Sequence, residues 1–393
     1  MIERRLRRLA SAEAPGEEEA RERAWPVVRA AFETRERAPR APRLRGRAAL
    51  ALGVLAVVVA AALTPPGRAV LGELREAIGR ERVTPSRPAV SSLPAGGRLL
   101  VISPRGAWIV ETDGSKRRLG AYEEATWSPR GLFVGASRGR TLVAVTPKGA
   151  VRWSLSRERV SQPRWSPSGF RVVYRSRGAL RVVAADGTGD KRLAPRGLDP
   201  AAAAWRPGTG HVVAYADWRG RVHVVDTDTG RALWTTRRLP DVRALEWSDD
   251  GRQLLALTRR SVRTFEAPGK SVTTITIPPN QAVTGAAFKP GRHDLAYVVL
   301  ASATGTSRVF VHAEEASAAV RRFEGAGRLR DLTWSPNGRW LLVGWPRADQ
   351  LLFLRIGDRR IVAVSNVSRE FDPGGIGPAG FPRVAGWCCR PSR

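Results

Sequence analysis

Trp127-Ser-Pro-Arg-Gly131 returns along the chain as Trp165-Ser-Pro-Ser-Gly169, Trp205-Arg-Pro-Gly208, Trp247-Ser-Asp-Asp-Gly251, Phe288-Lys-Pro-Gly291 and Trp334-Ser-Pro-Asn-Gly338. The leading aromatics are 38, 40, 42, 41 and 46 positions apart. A period of roughly 40 to 45 residues is that of a four-stranded propeller blade. Around Trp127 the unit reads as four short β-rich stretches: Ala125 to Ser128, Leu132 to Ala136, Thr141 to Thr146 and Val151 to Leu155. Pro129-Arg-Gly131, Arg138-Gly139 and Pro147-Lys-Gly149 separate them. Pro presets φ for a tight turn and Gly accepts φ > 0, so these are joins between strands. No stretch after residue 95 has the length and period of a helix. The Trp residues and apolar runs such as Leu254-Leu255-Ala256-Leu257 and Leu341-Leu342-Val343 are expected to pack between blades, each indole N–H with a partner.

The ends of the array carry the closure. Leu99 to Ser103, Ala107 to Glu111 and Lys116 to Leu119 read as the later strands of a unit that lacks its Trp strand. Arg383-Val-Ala-Gly-Trp-Cys388 at the other terminus has the missing character. The expected fold is therefore all-β, a seven-bladed β-propeller over 97–389 whose blade 1 is closed by the C-terminal strand, with a tail at 390–393. Closing the ring removes free sheet edges.

The motif and its spacing resemble the TolB-like and WD40-like propeller repeat families, in which the W-S-P-D-G phrase joins the innermost strand to its neighbour. The Gly-His and Trp-Asp signatures of WD40 repeats are not repeated here, which leans the resemblance towards bacterial TolB-like propellers. Phe288-Lys-Pro-Gly291 departs furthest from the phrase. The resemblance implies a binding scaffold, and no second domain follows the propeller that would make it an enzyme.

Ahead of the array, Ala48 to Thr64 contains no charge. At 1.5 Å per residue it spans about 26 Å of a hydrocarbon core of roughly 30 Å. Residues 47–64 are read as a single uncleaved transmembrane helix. A cleavable leader at Ala60-Ala61-Ala62 competes with this reading, but the apolar run begins far deeper in the chain than a leader's would. Arg35, Arg37, Arg40, Arg43, Arg45 and Arg47 crowd its N-terminal flank, so residues 1–46 are placed in the cytoplasm and the propeller outside. Within that tail, residues 17–37 suggest a helix with Trp25, Val28 and Phe32 near one face, which fits a cytoplasmic protein partner. Residues 65–96 read as a juxtamembrane amphipathic helix, carrying Val70, Leu71, Leu74 and Ile78, followed by a stiff Pro-rich linker.

The net charge is +30. Arg is spread through all blades without a basic block, and an external propeller meets little nucleic acid, so nucleic acid is not the expected partner. Two readings of the charge stay open: a coding bias towards Arg with solvated faces, or attraction to anionic headgroups and wall polymers. Cys388 and Cys389 are the two cysteines. One buried and one idle thiol, a vicinal disulfide and an intermolecular bridge are the alternatives.

Motifs that suggest catalysis lack their context. Gly135-Ala-Ser-Arg-Gly139 fits G-x-S-x-G, placed in a strand-to-strand turn of the second blade where the esterase motif needs a strand-to-helix elbow. Gly375-Ile-Gly-Pro-Ala-Gly380 fits G-x-G-x-x-G but has Pro378, Pro382 and no following helix. Asp113, Asp186, Asp228 and Asp250 belong to hairpin turns, with calcium as the lesser alternative. His211, His223, His293 and His312 are scattered singly, with no evident metal or acid partner in sequence. The reading has no catalytic, cofactor-binding or metal-ligating residue and no cofactor. It expects a non-catalytic scaffold at the cell envelope, binding an envelope protein or ligand through propeller loops. The alternative is a transmembrane sensor, laid out like a membrane-bound anti-sigma factor, whose tail controls a cytoplasmic partner.

Overall fold

A computed structural model describes residues 83–87, 92–194, 197–198, 201–373 and 380–389. It forms seven sheets in a closed ring, each with four strands in meander order and one with a fifth. The innermost strands are Arg383–Cys388 (blade 1), Glu124–Trp127, Val160–Trp165, Ala204–Trp205, Val242–Trp247, Gln281–Phe288 and Arg330–Trp334 (blade 7). Each lies against the innermost strands of the two neighbouring blades, and blade 7 meets blade 1. A single five-residue α-helix, Val367–Phe371, interrupts the β structure among the described residues.

Seven apolar clusters fill the seven interfaces between blades. The repeat aromatic of each blade joins the cluster it shares with the preceding blade: Trp127, Trp165, Trp205, Trp247, Phe288, Trp334 and Trp387. Phe288 thus takes the place of a Trp without breaking the pattern. The indole expectation holds only in part. Trp205 Nε1 donates to the Arg164 carbonyl at 2.9 Å and Trp334 Nε1 to that of Ala287 at 3.4 Å. Among the described residues the buried indole nitrogens of Trp127, Trp165, Trp247 and Trp387 have no hydrogen-bond acceptor. Apolar burial outweighs the missing bond, since one Trp removes roughly 150–250 Å² from water.

The Ser of the repeat explains the turn that follows. Its buried hydroxyl oxygen accepts the N–H five residues on: Phe133 to Ser128 (2.8 Å), Arg171 to Ser166 (3.1 Å), Gln253 to Ser248 (3.0 Å) and Trp340 to Ser335 (3.0 Å). The Ser carbonyl accepts the N–H of the repeat Gly, which sits at φ between 65° and 85° in all four turns. Asp250 and Asn337 hold the hydroxyl from the fourth position at 2.6 and 2.8 Å, and Ser168 lies 3.0 Å from it. Blades 4 and 6 replace the Ser with Arg206 and Lys289, which lie over Trp247 and Trp334 of the next blade. Arg206 also donates to the Gly251 carbonyl at 2.7 Å.

Arg383–Cys388 pairs antiparallel with Arg98–Ser103, Leu99 opposite Trp387 and Ile102 opposite Arg383, so the C-terminus supplies the innermost strand of blade 1. The segment read as a linker contains a further strand. Val83–Arg87 pairs parallel with Ile361–Ser365, the outermost strand of blade 7, with a register shift between Thr84 and Arg87. Pro85 misled the linker reading: Pro cannot donate to a central ladder, but an edge strand with a bulge accommodates it. The transmembrane helix at 47–64, the tail helix, the amphipathic helix after residue 65 and the tail at 390–393 lie outside the described residues. Among the described residues no helix is long and apolar enough to cross a membrane.

Meander order assigns every connection to one of two faces. The lower face takes the W-S-P turns and the turns between third and fourth strands. The upper face takes the turns between second and third strands and the connections between blades.

Candidate functional site

On the innermost strands, charge gathers on one side of the ring. Blade 2 contributes Glu124, whose carboxylate accepts the backbone N–H of Gln162 in blade 3. Gln162 has φ of 53°, an αL conformation that breaks the ladder beside it and turns its amide towards the neighbouring blade. Arg175 donates to Gln162 Oε1 at 3.3 Å, and Arg164 donates to the Pro163 carbonyl at 3.0 Å. Burial lowers the pKa of the half-buried Arg164, opposed by the charge of Glu124, while Arg383 of blade 1 adds to the lowering. Blade 7 completes the patch. Asp331, at φ 59°, has a nearly buried side chain with Arg330 3.7 Å away, and its Oδ2 has no hydrogen-bond donor among the described residues. Burial pushes the Asp331 carboxyl up to about 6, against Arg330, the Val384 N–H and Arg383. Arg330 in turn donates to the Phe381 carbonyl at 2.6 Å and lies 5.2 Å from that ring.

Four neighbouring blades therefore place Arg330, Arg383, Arg164 and Arg175 beside two carboxylates. One of those, Asp331, loses its charge within reach of neutral pH. Such an arrangement holds an anionic or hydrogen-bonding group through arginine forks. Sequence reasoning missed it, because the residues come from 124, 162–175, 330–331 and 383 and meet only when the ring closes.

Across the ring the innermost strands of blades 4 to 6 are mostly small or apolar, including Ala204, Ala244, Thr284 and Gly285. Arg243, paired with Asp241 at 2.7 Å, and Glu246 are the charged exceptions. Burial pushes the Glu246 carboxyl up to about 8, the Phe288 N–H at 3.2 Å pulls it down, and the Asp249 charge pushes it further up.

Three of the four histidines have acidic partners that sequence spacing hid. His293 Nδ1 lies 2.8 Å from Glu314 and Nε2 3.1 Å from Asp250 of the preceding blade. Burial lowers the His293 pKa, but the bonds to Glu314 and Asp250 outweigh it and the net shift is upward. Burial likewise raises Asp250, whereas bonds from Ser248, the Arg252 N–H and His293 hold it down at about 2. His223 Nε2 is 2.9 Å from Asp217, and His211 is 3.8 Å from Asp226. Among the described residues no three His, Cys, Asp or Glu side chains are grouped to hold a metal ion.

Ser137 of the G-x-S-x-G phrase is not in a turn but inside the strand Val134–Arg138, buried and opposite Leu142 and Glu124. Residues 374–379 of the other Gly-rich phrase lie outside the described residues. Asp113, Asp186 and Asp250 accept the N–H two residues on, at 2.9, 2.9 and 3.0 Å, which is hairpin-turn chemistry. Asp228 instead pairs with Arg171 at 2.8 Å. Cys388 and Cys389 are joined as a vicinal disulfide beside Gly131 of blade 2.

No family model matches the sequence, and no curated protein matches it. Solved structures share the fold. The C-terminal WD40 domain of Sif2 matches at TM-score 0.53 and 12% identity, covering 68% of this chain and 82% of that one. The β-propeller domain of Cps50 (Swd1) from Myceliophteria thermophila matches at TM-score 0.51 and 15% identity, covering 62% and 85%. The hydrazine synthase of Kuenenia stuttgartiensis matches at TM-score 0.50 and 17% identity, covering 59% and 75%. At these identities the likeness is one of WD40-like propeller fold.

Proposed function

We propose that this chain is a non-catalytic binding scaffold of the cell envelope, anchored by residues 47–64 with its N-terminus in the cytoplasm and its propeller outside. The observation that carries the binding reading is the patch in which Arg330, Arg383 and Arg164 on innermost strands and Arg175 on the second strand of blade 3 meet Glu124 and Asp331. Propellers of the WD40 kind generally serve as platforms for protein partners, and the Sif2 and Cps50 domains share that fold. The anchor rests on the charge-free run Ala48–Thr64 and its arginine flank, and the envelope setting on the TolB-like repeat phrase. A reporter active only outside the cytoplasm, fused after Arg393, tests the reading in parallel with one active only inside. External activity is expected; internal activity overturns the orientation and the envelope role together.

One observation favours the second reading, a sensor whose tail controls a cytoplasmic partner. Val83–Arg87 ties the N-terminal segment to blade 7, the blade that meets blade 1 at the closure. On that reading residues 1–46, expressed alone, retain one cytoplasmic protein specifically; a tail that retains none returns the chain to a plain scaffold.

A further inference from the structure

The arginines that look evenly spread along the sequence are unevenly spread in space. Upper-face connections among the described residues carry fourteen Arg, no Lys and seven Asp or Glu. Lower-face connections carry ten Arg or Lys and eleven Asp or Glu. A coding bias that exchanges Lys for Arg changes neither balance, so it does not account for the difference between faces.

The excess concentrates on blades 4 and 5, in the connections 217–221, 236–241 and 259–260. Arg219, Arg237, Arg238, Arg259 and Arg260 are exposed there, and none has an ion-pair partner among the described residues. The two acids of the same connections are already engaged: Asp217 by His223 at 2.9 Å and Asp241 by Arg243 at 2.7 Å. Beside them stands Trp218, 68% exposed, with the Arg219 guanidinium 5.0 Å from its ring. The connections adjoin one another: Leu239 N–H donates to the Gly220 carbonyl at 2.7 Å, and Val242, which follows Asp241, pairs with Thr258, which precedes Arg259. An exposed indole beside unpaired arginines has the composition of an interface core, where Trp and Arg dominate the energy.

We infer that the upper face of blades 4 and 5 docks an acidic segment of a protein partner, with Trp218 as the apolar anchor. This rests on the scaffold reading and names its partner chemistry. A single-stranded nucleic acid asks for a row of aromatic rings to stack its bases, and these three connections hold a single ring, Trp218. A bilayer fits less well. Val83–Arg87 runs parallel to Ile361–Ser365, so Val83 starts at the lower face, and an anchor upstream of it leads away from the arginines.

The test uses the full-length chain in detergent and a fluorescent peptide of alternating Glu and Leu residues, with a DNA oligonucleotide of equal charge as competitor. Replacing Arg237, Arg238, Arg259 and Arg260 by Glu is expected to weaken peptide binding at least tenfold. Trp218→Ala is expected to weaken it about fivefold, a typical effect for an interface Trp. Replacing Arg130, Lys148, Arg339 and Arg360 on the lower face by Glu is expected to change it less than twofold. Equal losses from both fourfold variants would show that net charge alone attracts the peptide and overturn the inference. Displacement by the oligonucleotide at equal or lower concentration would overturn it in favour of nucleic acid. Either failure leaves the reporter-fusion result untouched, so the anchor stands or falls separately.

Discussion

The two faces of the ring are built on different terms. On the lower face one solution recurs: a buried Ser accepts an N–H five residues on, a Gly turns in αL, and the charges nearly cancel. The upper face has no recurring phrase. Its connections differ in length, leave arginines without acids and expose Trp218. A turn that satisfies its own polar groups is free to be repeated, and repetition makes it visible as a period. Groups left unsatisfied are what a partner has to satisfy, and nothing makes them periodic.

The comparison breaks most sharply at the closure. Deleting residues 383–393 removes the innermost strand of blade 1 and exposes the faces of its neighbours; loss of cooperative thermal unfolding is the expected result, and a sharp transition would show that closure is dispensable. Within a lower-face turn, Ser335→Ala leaves the buried Trp340 N–H without its side-chain acceptor and is expected to cost about 1–2 kcal/mol by denaturant titration. The upper-face change Arg259→Ala, measured alongside, is expected to stay within about 0.5 kcal/mol. Similar costs for the two would erase the distinction between the faces.

Two pH profiles sharpen it further. The folded-state pKa of Glu246 is raised to about 8, so the folded chain holds a proton that the unfolded chain has released above the ordinary Glu range. The stability this provides is full below about pH 4.5 and is lost as pH rises towards 8. Glu246→Gln is therefore expected to raise the melting temperature by a few degrees relative to the parent at pH 9 and hardly at pH 5; an equal shift at both values would refute the assignment. For His293 the folded pKa is also raised, so its contribution is full below about 6.5 and disappears as pH rises through the folded value. His293→Gln should destabilise by about 0.5–1 kcal/mol at pH 6 and less at pH 9, a modest figure because Asp250 and Glu314 are solvent-facing. A pH-independent loss would show that packing against Phe288 matters more than the charges.

What the sequence revealed follows the same division. The blade count and the packing of the Trp residues between blades were legible because each blade repeats them, and the closure by Arg383–Cys388 because the first unit lacks its Trp strand. Phe288 was the weakest match in letters, yet it fills the same interface because an apolar aromatic of suitable size suffices. The strand Val83–Arg87 was hidden by Pro85 and by lying outside the repeat. Asp331, Arg383, Glu124 and Arg164 were hidden for a different reason: single residues on strands far apart in sequence carry no spacing that announces their meeting. The upper-face arginines were visible individually, but their imbalance exists only once each connection has been assigned a side.

The parallel ladder between Val83–Arg87 and the rim of blade 7 also has a mechanical meaning. A pull on Val83 from the lower face acts along the strand axis, so its hydrogen bonds are loaded together in shear instead of being unzipped one by one. Tension on the N-terminal side is taken up by the outermost strand of blade 7, and the edge strand must slide free before the pull reaches Arg98–Ser103 of blade 1.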